Sequence, residues 1–277
     1  METLVNRAEP TVVLGMHRSG TSLVAKLLRE AGVFMGEDLD SHGESRSLRK
    51  LNRFLLRAGH AHWDHPLPFR HVLETSELCD ALVRHLEEAA QGKDIQSAFF
   101  GRRAVRFPNR RAGWPHNWGW KDPRNTLTLP LWLRVFPELR AIHVVRNGID
   151  VANSLVERER VRVTRLDHPA RSARCLSQKR AFELWTEYIR IGLEHVAVLP
   201  EERVLTICYE ELVLSPQNQI ERLFRFAGIA ASASQIAALA DSIDATRAYA
   251  YRKLHRDAPP GQLEHRLMRR LGYGQTS

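Results

Sequence analysis

Residues 11–22 read Thr11-Val12-Val13-Leu14-Gly15-Met16-His17-Arg18-Ser19-Gly20-Thr21-Ser22. Thr11 to Leu14 is a short β-branched run that ends at Gly15. After the small polar stretch His17 to Gly20, apolar residues recur at Leu23, Val24, Leu27, Leu28 and Ala31. That pattern is strand, turn, helix. Gly32 can take the left-handed conformation that closes a helix. Gly15 and Gly20 have the G-x-x-x-x-G spacing of a nucleotide phosphate loop, in the strand-to-helix context such a loop requires. Where a nucleoside triphosphatase places Lys after the second glycine, this chain has Thr21, and the positive charge sits inside the loop at Arg18. The loop keeps its capacity for an anion. Successive backbone N–H groups and the helix N-terminus point at one spot, and Ser19, Thr21 and Ser22 add hydroxyls.

Outward from this loop the chain alternates strands with helices. Ser45 to Ala58 and Thr75 to Ala90 read as amphipathic packing helices, the second with Leu78, Leu82, Val83 and Leu86 on one face. From Ile95 to Asn117 the pattern dissolves into Gly, Pro, Arg and Trp, which predicts a long surface loop. A short regular run at Gly119 to Lys121 and a helix from Thr126 to Phe136 follow. Leu139 to Val145 is a mostly apolar run suited to a buried parallel strand, with a helix expected from Ile149. Ser172 to Val198 is a long helical pattern and Arg203 to Ile207 a further strand. Pro216 to Phe226 and Ser234 to Ile243 close the pattern with helices. The expected fold is α/β, a single domain over 1–277 with a central parallel sheet flanked by helices, like the P-loop nucleotide-binding proteins. Its core is expected over about residues 11–228, with a helical and basic segment at 229–277.

Bulk properties set limits on the partner. The 277 residues carry a formal net charge of +9, which favours anionic ligands such as nucleotides, nucleic acid, sulfated glycans or acidic membranes. Much of the excess lies in two arginine-rich runs, Gly101 to Arg111 and Arg158 to Arg174, read as solvated loops. The three cysteines, Cys79, Cys175 and Cys208, are far apart and show no C-x-x-C spacing, which disfavours a disulfide framework and a zinc site. The first ten residues contain no apolar signal-peptide core, and no run of 18 uncharged apolar residues occurs. A soluble, cytoplasmic protein with no membrane span is expected.

A second segment carries the argument to a family. Leu139 to Val145 delivers Arg146, then Asn147 and Gly148, and opens a helix that holds Ser154. Together with Arg18-Ser19-Gly20-Thr21-Ser22 this resembles the sulfotransferases that use 3′-phosphoadenosine 5′-phosphosulfate (PAPS). In that family a Lys or Arg before Ser-Gly-Thr marks the 5′-phosphosulfate loop. An Arg just past a later strand, with a Ser eight residues on, shares the 3′-phosphate. The resemblance implies that His17, Arg18, Ser19, Gly20, Thr21 and Ser22 bind the 5′-phosphosulfate and that Arg146 and Ser154 bind the 3′-phosphate. A fork donor plus a hydroxyl suits a dianionic phosphate at the carboxyl end of a sheet. Trp120-Lys121-Asp122-Pro123-Arg124 resembles the family's strand with a Lys near the sulfuryl group. Tyr209-Glu210-Glu211-Leu212 with Ser215-Pro216 resembles its Tyr-Glu-Asp-Leu, x-Pro element, so Tyr209 joins the cofactor-binding set. Arg252 and Lys253 are the counterpart of a basic loop that closes the cofactor pocket in many members.

One departure bears on mechanism. Many cytosolic members place a catalytic His two positions after the strand Lys, and here that position is Pro123, which can neither accept nor give a proton. Glu44 is the first expectation for the base, with Glu37, Asp122 and His17 as alternates. Glu44 also has a structural reading as the cap of the helix near Ser45, and Asp122 one as the orienter of Arg124. Lys121 and Arg18 are expected to stabilise the sulfuryl oxygens and the leaving phosphate. No His/Cys/Asp/Glu cluster has metal-ligand spacing, so no metal is expected. PAP is the expected product, and the acceptor a small molecule or glycan. Arg102, Arg103, Arg106, Arg110 and Arg111, interleaved with Phe107, Trp114 and Trp118, are a possible pocket for an acidic sugar. Two alternatives explain less. A P-loop kinase needs Lys in place of Thr21 and an acidic metal ligand where Arg146 ends its strand. A non-catalytic anion-binding module leaves the paired phosphate segments unexplained, and nucleic acid is not the expected partner.

Overall fold

The computed structural model describes residues 10–101, 117–164, 170–250 and 262–273. Four parallel strands form one sheet in the order β2-β1-β3-β4, with β1 at Thr11–Gly15, β2 at Gly119–Lys121, β3 at Arg140–Val145 and β4 at Val204–Cys208. Strand β1 is central. It pairs with β2 from Thr11↔Gly119 and with β3 through Gly15↔Val144. Both faces are covered by helices, so the strand side chains divide between two cores. Val12, Leu14, Ala141 and Val145 enter one, and Val13, Ile142 and Val144 enter the other. That period-two division explains why β1 and β3 read as continuous apolar runs rather than alternating ones.

All four strands end on the same edge. From that edge emerge the phosphate loop, Asp122, Arg146 and Tyr209, each continuing into a helix: Thr21–Glu30, Asn125–Val135, Gly148–Thr164 and Tyr209–Leu214. The helix Gln178–Val196 packs across β1 and β3. Gly192 lets it approach, because a Cβ there would lie 2.7 Å from Nε2 of His143. His143, on β3, is fully buried, and neither ring nitrogen hydrogen-bonds to a described residue. Burial pushes its pKa down to about 4, which keeps the ring neutral.

Four expectations need correction. The stretch from Ile95 is helical as far as Phe100, within Lys93–Phe100. Phe99 and Phe100 are buried there in an aromatic cluster with Phe34, Trp118, Trp120 and Phe136; the Trp118 and Trp120 rings stack at 5.8 Å. Trp118 is therefore core, 3% exposed, and offers no stacking face to a sugar. Arg102 to Arg111, Phe107 and Trp114 lie outside the described residues. The second arginine-rich run begins not as a loop but as the last turns of the helix Gly148–Thr164, where Glu159 is fully buried. The long pattern from Ser172 is broken by a 3₁₀ turn, Arg174–Leu176. The helix starts at Gln178 because Ser177 turns its hydroxyl onto the Arg180 N–H and so caps it.

Candidate active site

The phosphate loop is held open by two glycines. Gly15 has φ +139°, and a Cβ there would meet the Val144 carbonyl oxygen at 2.3 Å, so only glycine lets β1 run this close to β3 at its end. Its N–H donates to Oγ1 of Thr126 at 2.9 Å. Gly20 has φ +94°, and an added Cβ would lie 2.3 Å from the Tyr209 ring, so the loop is seated directly on that aromatic face. Between them Arg18, a non-glycine residue, has φ +71°. Such a backbone persists where neighbours over-determine it. Nε of Arg18 donates to Oγ of Ser154 at 2.8 Å, and Nη1 of Arg146 donates to the Arg18 carbonyl at 3.1 Å. The Arg146 guanidinium also lies 4.4 Å over the Tyr209 ring and 3.7 Å from Asp150. The two segments expected to bind phosphate are thus joined to each other.

The loop's own polar groups fit an anion. Gly20 caps the helix Thr21–Glu30 with no side chain; the Leu23 N–H donates to the Gly20 carbonyl at 2.9 Å, which leaves the Thr21 and Ser22 N–H groups at the helix start for another acceptor. The Ser19 hydroxyl, wholly buried, makes no hydrogen bond to a described residue. Ser22 differs, since its hydroxyl donates to the His42 carbonyl at 2.9 Å and so fastens the loop to the turn that carries Glu44.

That turn delivers a buried ion cluster to the strand ends. Nζ of Lys121, 2% exposed, lies 3.1 Å from Oε1 of Glu44, and Nη1 of Arg124 lies 3.4 Å from Oε2 of Glu44. Arg124 also donates to Oδ1 of Asp122 at 2.8 Å, and Oδ2 of Asp122 accepts from Asn52 at 3.0 Å. Burial opposes the Arg124 charge, yet Asp122 and Glu44 outweigh it and raise the pKa. Asp122 is therefore the orienter of Arg124. Glu44 does not cap the following helix: Ser45 does, accepting from the Leu48 N–H at 3.2 Å. His17 packs edge-on against Trp63 at 4.9 Å. Burial first, then the charges of Arg124, Arg158 and Lys121, lower its pKa well below the usual value, so the ring is neutral.

A cleft of ≈ 350 Å³ unites these parts. Its wall includes His17, Arg18, Gly20, Thr21 and Ser22 from the loop. Glu44, Lys121, Arg146 and Tyr209 complete the expected set, with Ser154 attached through Arg18 and Ser19 buried in the loop. Two alternates for the base are not on the wall. Asp122 is 1% exposed and engaged, and Glu37 packs beside Gly101. Arg252 and Lys253 lie outside the described residues. Sequence reasoning missed Asp40, Arg49, Trp63 and Arg171 on the same wall. Arg158, also on it, carried a signal, being one helical turn beyond Ser154 on the same face.

A doubly covered parallel sheet with a phosphate loop at its carboxyl edge defines the class of nucleotide-phosphate-binding α/β proteins. Within that class, residues 10–233 match the sulfotransferase family. The chain belongs to that family and is a sulfotransferase. No curated protein matches the chain. Among solved structures it is similar to the sulfotransferase domain from the curacin biosynthetic pathway, at 17% identity over 96% of this chain and 98% of that one, with a TM-score of 0.60. It is also similar to the sulfotransferase domain of the Synechococcus PCC 7002 olefin synthase, at 17% identity over 96% and 95% of the two chains, with a TM-score of 0.55. These two likenesses establish the fold.

Proposed function

We propose that the chain moves a sulfuryl group from PAPS to a hydroxyl or amine of a small molecule or glycan, releasing PAP. The observation that carries this reading is the junction of the two phosphate segments through Arg18, Ser154 and Arg146. PAPS supplies an activated sulfuryl group on a phosphate leaving group, and its two anionic ends match two donor sets. The loop His17 to Ser22 takes the 5′-phosphosulfate, with the buried Ser19 hydroxyl and the uncapped helix start as donors. Arg146 and Ser154 take the 3′-phosphate, and Tyr209 supports the loop beneath it. Arg252 and Lys253 are assigned to closing the cofactor pocket.

Lys121 and Arg18 stabilise the sulfuryl oxygens and the departing phosphate. As the S–O bond to phosphate breaks and the S–O or S–N bond to the acceptor forms, Glu44 takes the acceptor proton. Among the described residues no group of three or more His, Cys, Asp or Glu is placed to hold a metal ion, and no metal role is assigned. No helix among them is long and apolar enough to cross a membrane, and the proposed setting is the cytoplasm.

The test is thermal shift with PAP against ATP plus magnesium, followed by transfer from labelled PAPS to a panel of sugars, phenols and amines. Stabilisation by PAP alone, with label in an acceptor, is the expected result. Stabilisation by ATP plus magnesium and not by PAP overturns the assignment.

A further inference from the structure

The donor's two anionic ends leave part of the cleft's positive charge unassigned. Arg158 and Arg171 both line the cleft and belong to neither phosphate segment. Both are fixed by one residue. Glu159, fully buried, accepts from Nε of Arg158 at 2.7 Å through Oε1, while Oε2 accepts the backbone N–H of Arg171 at 2.6 Å and of Ser172 at 3.3 Å. The segment beyond is pinned as well. The Ser172 hydroxyl accepts from the Cys175 N–H at 3.2 Å, and Arg174 donates to the Asp64 carbonyl at 3.0 Å and pairs with Glu187 at 2.8 Å. The Arg158 guanidinium in turn lies 4.9 Å over the Trp63 ring, which packs on His17.

The two arginines differ in what neutralises them. Arg158 has Glu159, and nearby Arg49 has Asp40. The Arg171 guanidinium makes no hydrogen bond or ion pair with any described residue. Burial and then the like charges of Arg162 and Arg158 lower its pKa from the ordinary arginine value, with the Glu159 carboxylate acting against them. A buried carboxylate thus anchors the backbone of Arg171, whose guanidinium has no direct ion-pair partner among the described residues, beside other cations at the cleft that carries Lys121 and Glu44. Such an arrangement gains stability when an anion binds. The fork geometry of a guanidinium suits a carboxylate or a phosphate.

We propose that Arg171, with Arg158, forms a subsite for an anionic group on the acceptor, so that the molecule sulfurylated is an alcohol or amine that also bears a carboxylate or phosphate. This rests on the sulfotransferase reading of the cleft.

The experiment uses glycerate, glycerol phosphate and uncharged glycerol as matched probes on the full chain. Each is titrated calorimetrically into the PAP-saturated protein and offered as acceptor with labelled PAPS. At least one of the two anions should bind about tenfold or more tighter than glycerol. Arg171→Ala should remove that advantage without changing glycerol binding or PAP affinity, and Arg171→Lys should restore part of it. Preference for glycerate or for glycerol phosphate identifies which anion the subsite takes. Three outcomes overturn the subsite: neither anion binds, glycerol binds as well as they do, or Arg171→Ala leaves anion affinity unchanged, which would put the anion on the phosphate loop. Failure of PAP itself to bind would instead overturn the sulfotransferase reading.

Discussion

Nε of Arg18 donates to Oγ of Ser154 at 2.8 Å, joining residues 136 positions apart in the chain. This bond sets the spacing between the phosphate loop and the helix that carries Ser154. Arg146 reinforces it from the other side by donating to the Arg18 carbonyl, so the strained backbone at Arg18 is held by both residues assigned to the 3′-phosphate.

If Arg146 reads the 3′-phosphate, its loss must be selective. Arg146→Ala should weaken PAP by about 1.5–3 kcal/mol, the worth of a charged hydrogen bond, and weaken adenosine 5′-phosphate far less. Calorimetry with both ligands measures the difference. Equal losses would mean that Arg146 serves only to support the loop.

Glu44→Gln keeps the shape of the side chain but removes the proposed base and leaves Lys121 without its carboxylate. Turnover should fall by about a hundredfold or more, with PAP affinity nearly unchanged. Breaking a buried pair also costs stability, so melting temperature should be followed alongside rate. A wild-type rate under chemistry-limited conditions would pass the role to His17, the alternate on the cleft wall.

Gly20→Ala should fail through geometry rather than charge. A Cβ at φ +94° would strain the backbone and push into the Tyr209 ring. A loss of about 1 kcal/mol or more in urea unfolding is expected, with a marked drop in PAP affinity. Unchanged PAP affinity would show that the loop does not need its seat on Tyr209.

His143 gives the fold a defined acid sensitivity. Its folded pKa of about 4 lies below the unfolded value of ~6.5, so the unfolded chain takes up the proton first as pH falls. Its contribution is complete above ~6.5 and is lost as the pH falls through that window toward the folded value, a total of about 3 kcal/mol. His17, with its lowered pKa, adds in the same direction. His143→Leu should flatten the stability profile from urea unfolding across this window. An unaltered profile would place the sensitivity elsewhere.

The central fold was legible because its signals are local. Thr11 to Ser22 carries strand, loop and helix start in one stretch, and Leu139 to Ser154 repeats the transition. The helix Lys93–Phe100 was missed because eight residues hold too few turns for a period to show, and Phe99 and Phe100 gain their burial from distant Phe34 and Trp118. The same limit applied to the cleft. Lys121, Glu44 and the loop stood in recognisable contexts, whereas Trp63 and Arg171 reach it by packing on His17 and by Glu159, contacts with no periodicity or spacing in the chain.

Lys121 and Arg124 share the carboxylate of Glu44, and that pairing has a kinetic consequence. On the proposed roles, an ammonium that turns toward the sulfuryl oxygens can no longer hold Glu44 to the same degree, so arrival of the donor would loosen the carboxylate for an incoming proton. In the proposed mechanism, with Glu44 as the base, the base is then released by one substrate for use on the other. Such coupling favours an ordered sequence in which the donor enters first, and an acceptor arriving early meets a carboxylate still engaged with its own cations.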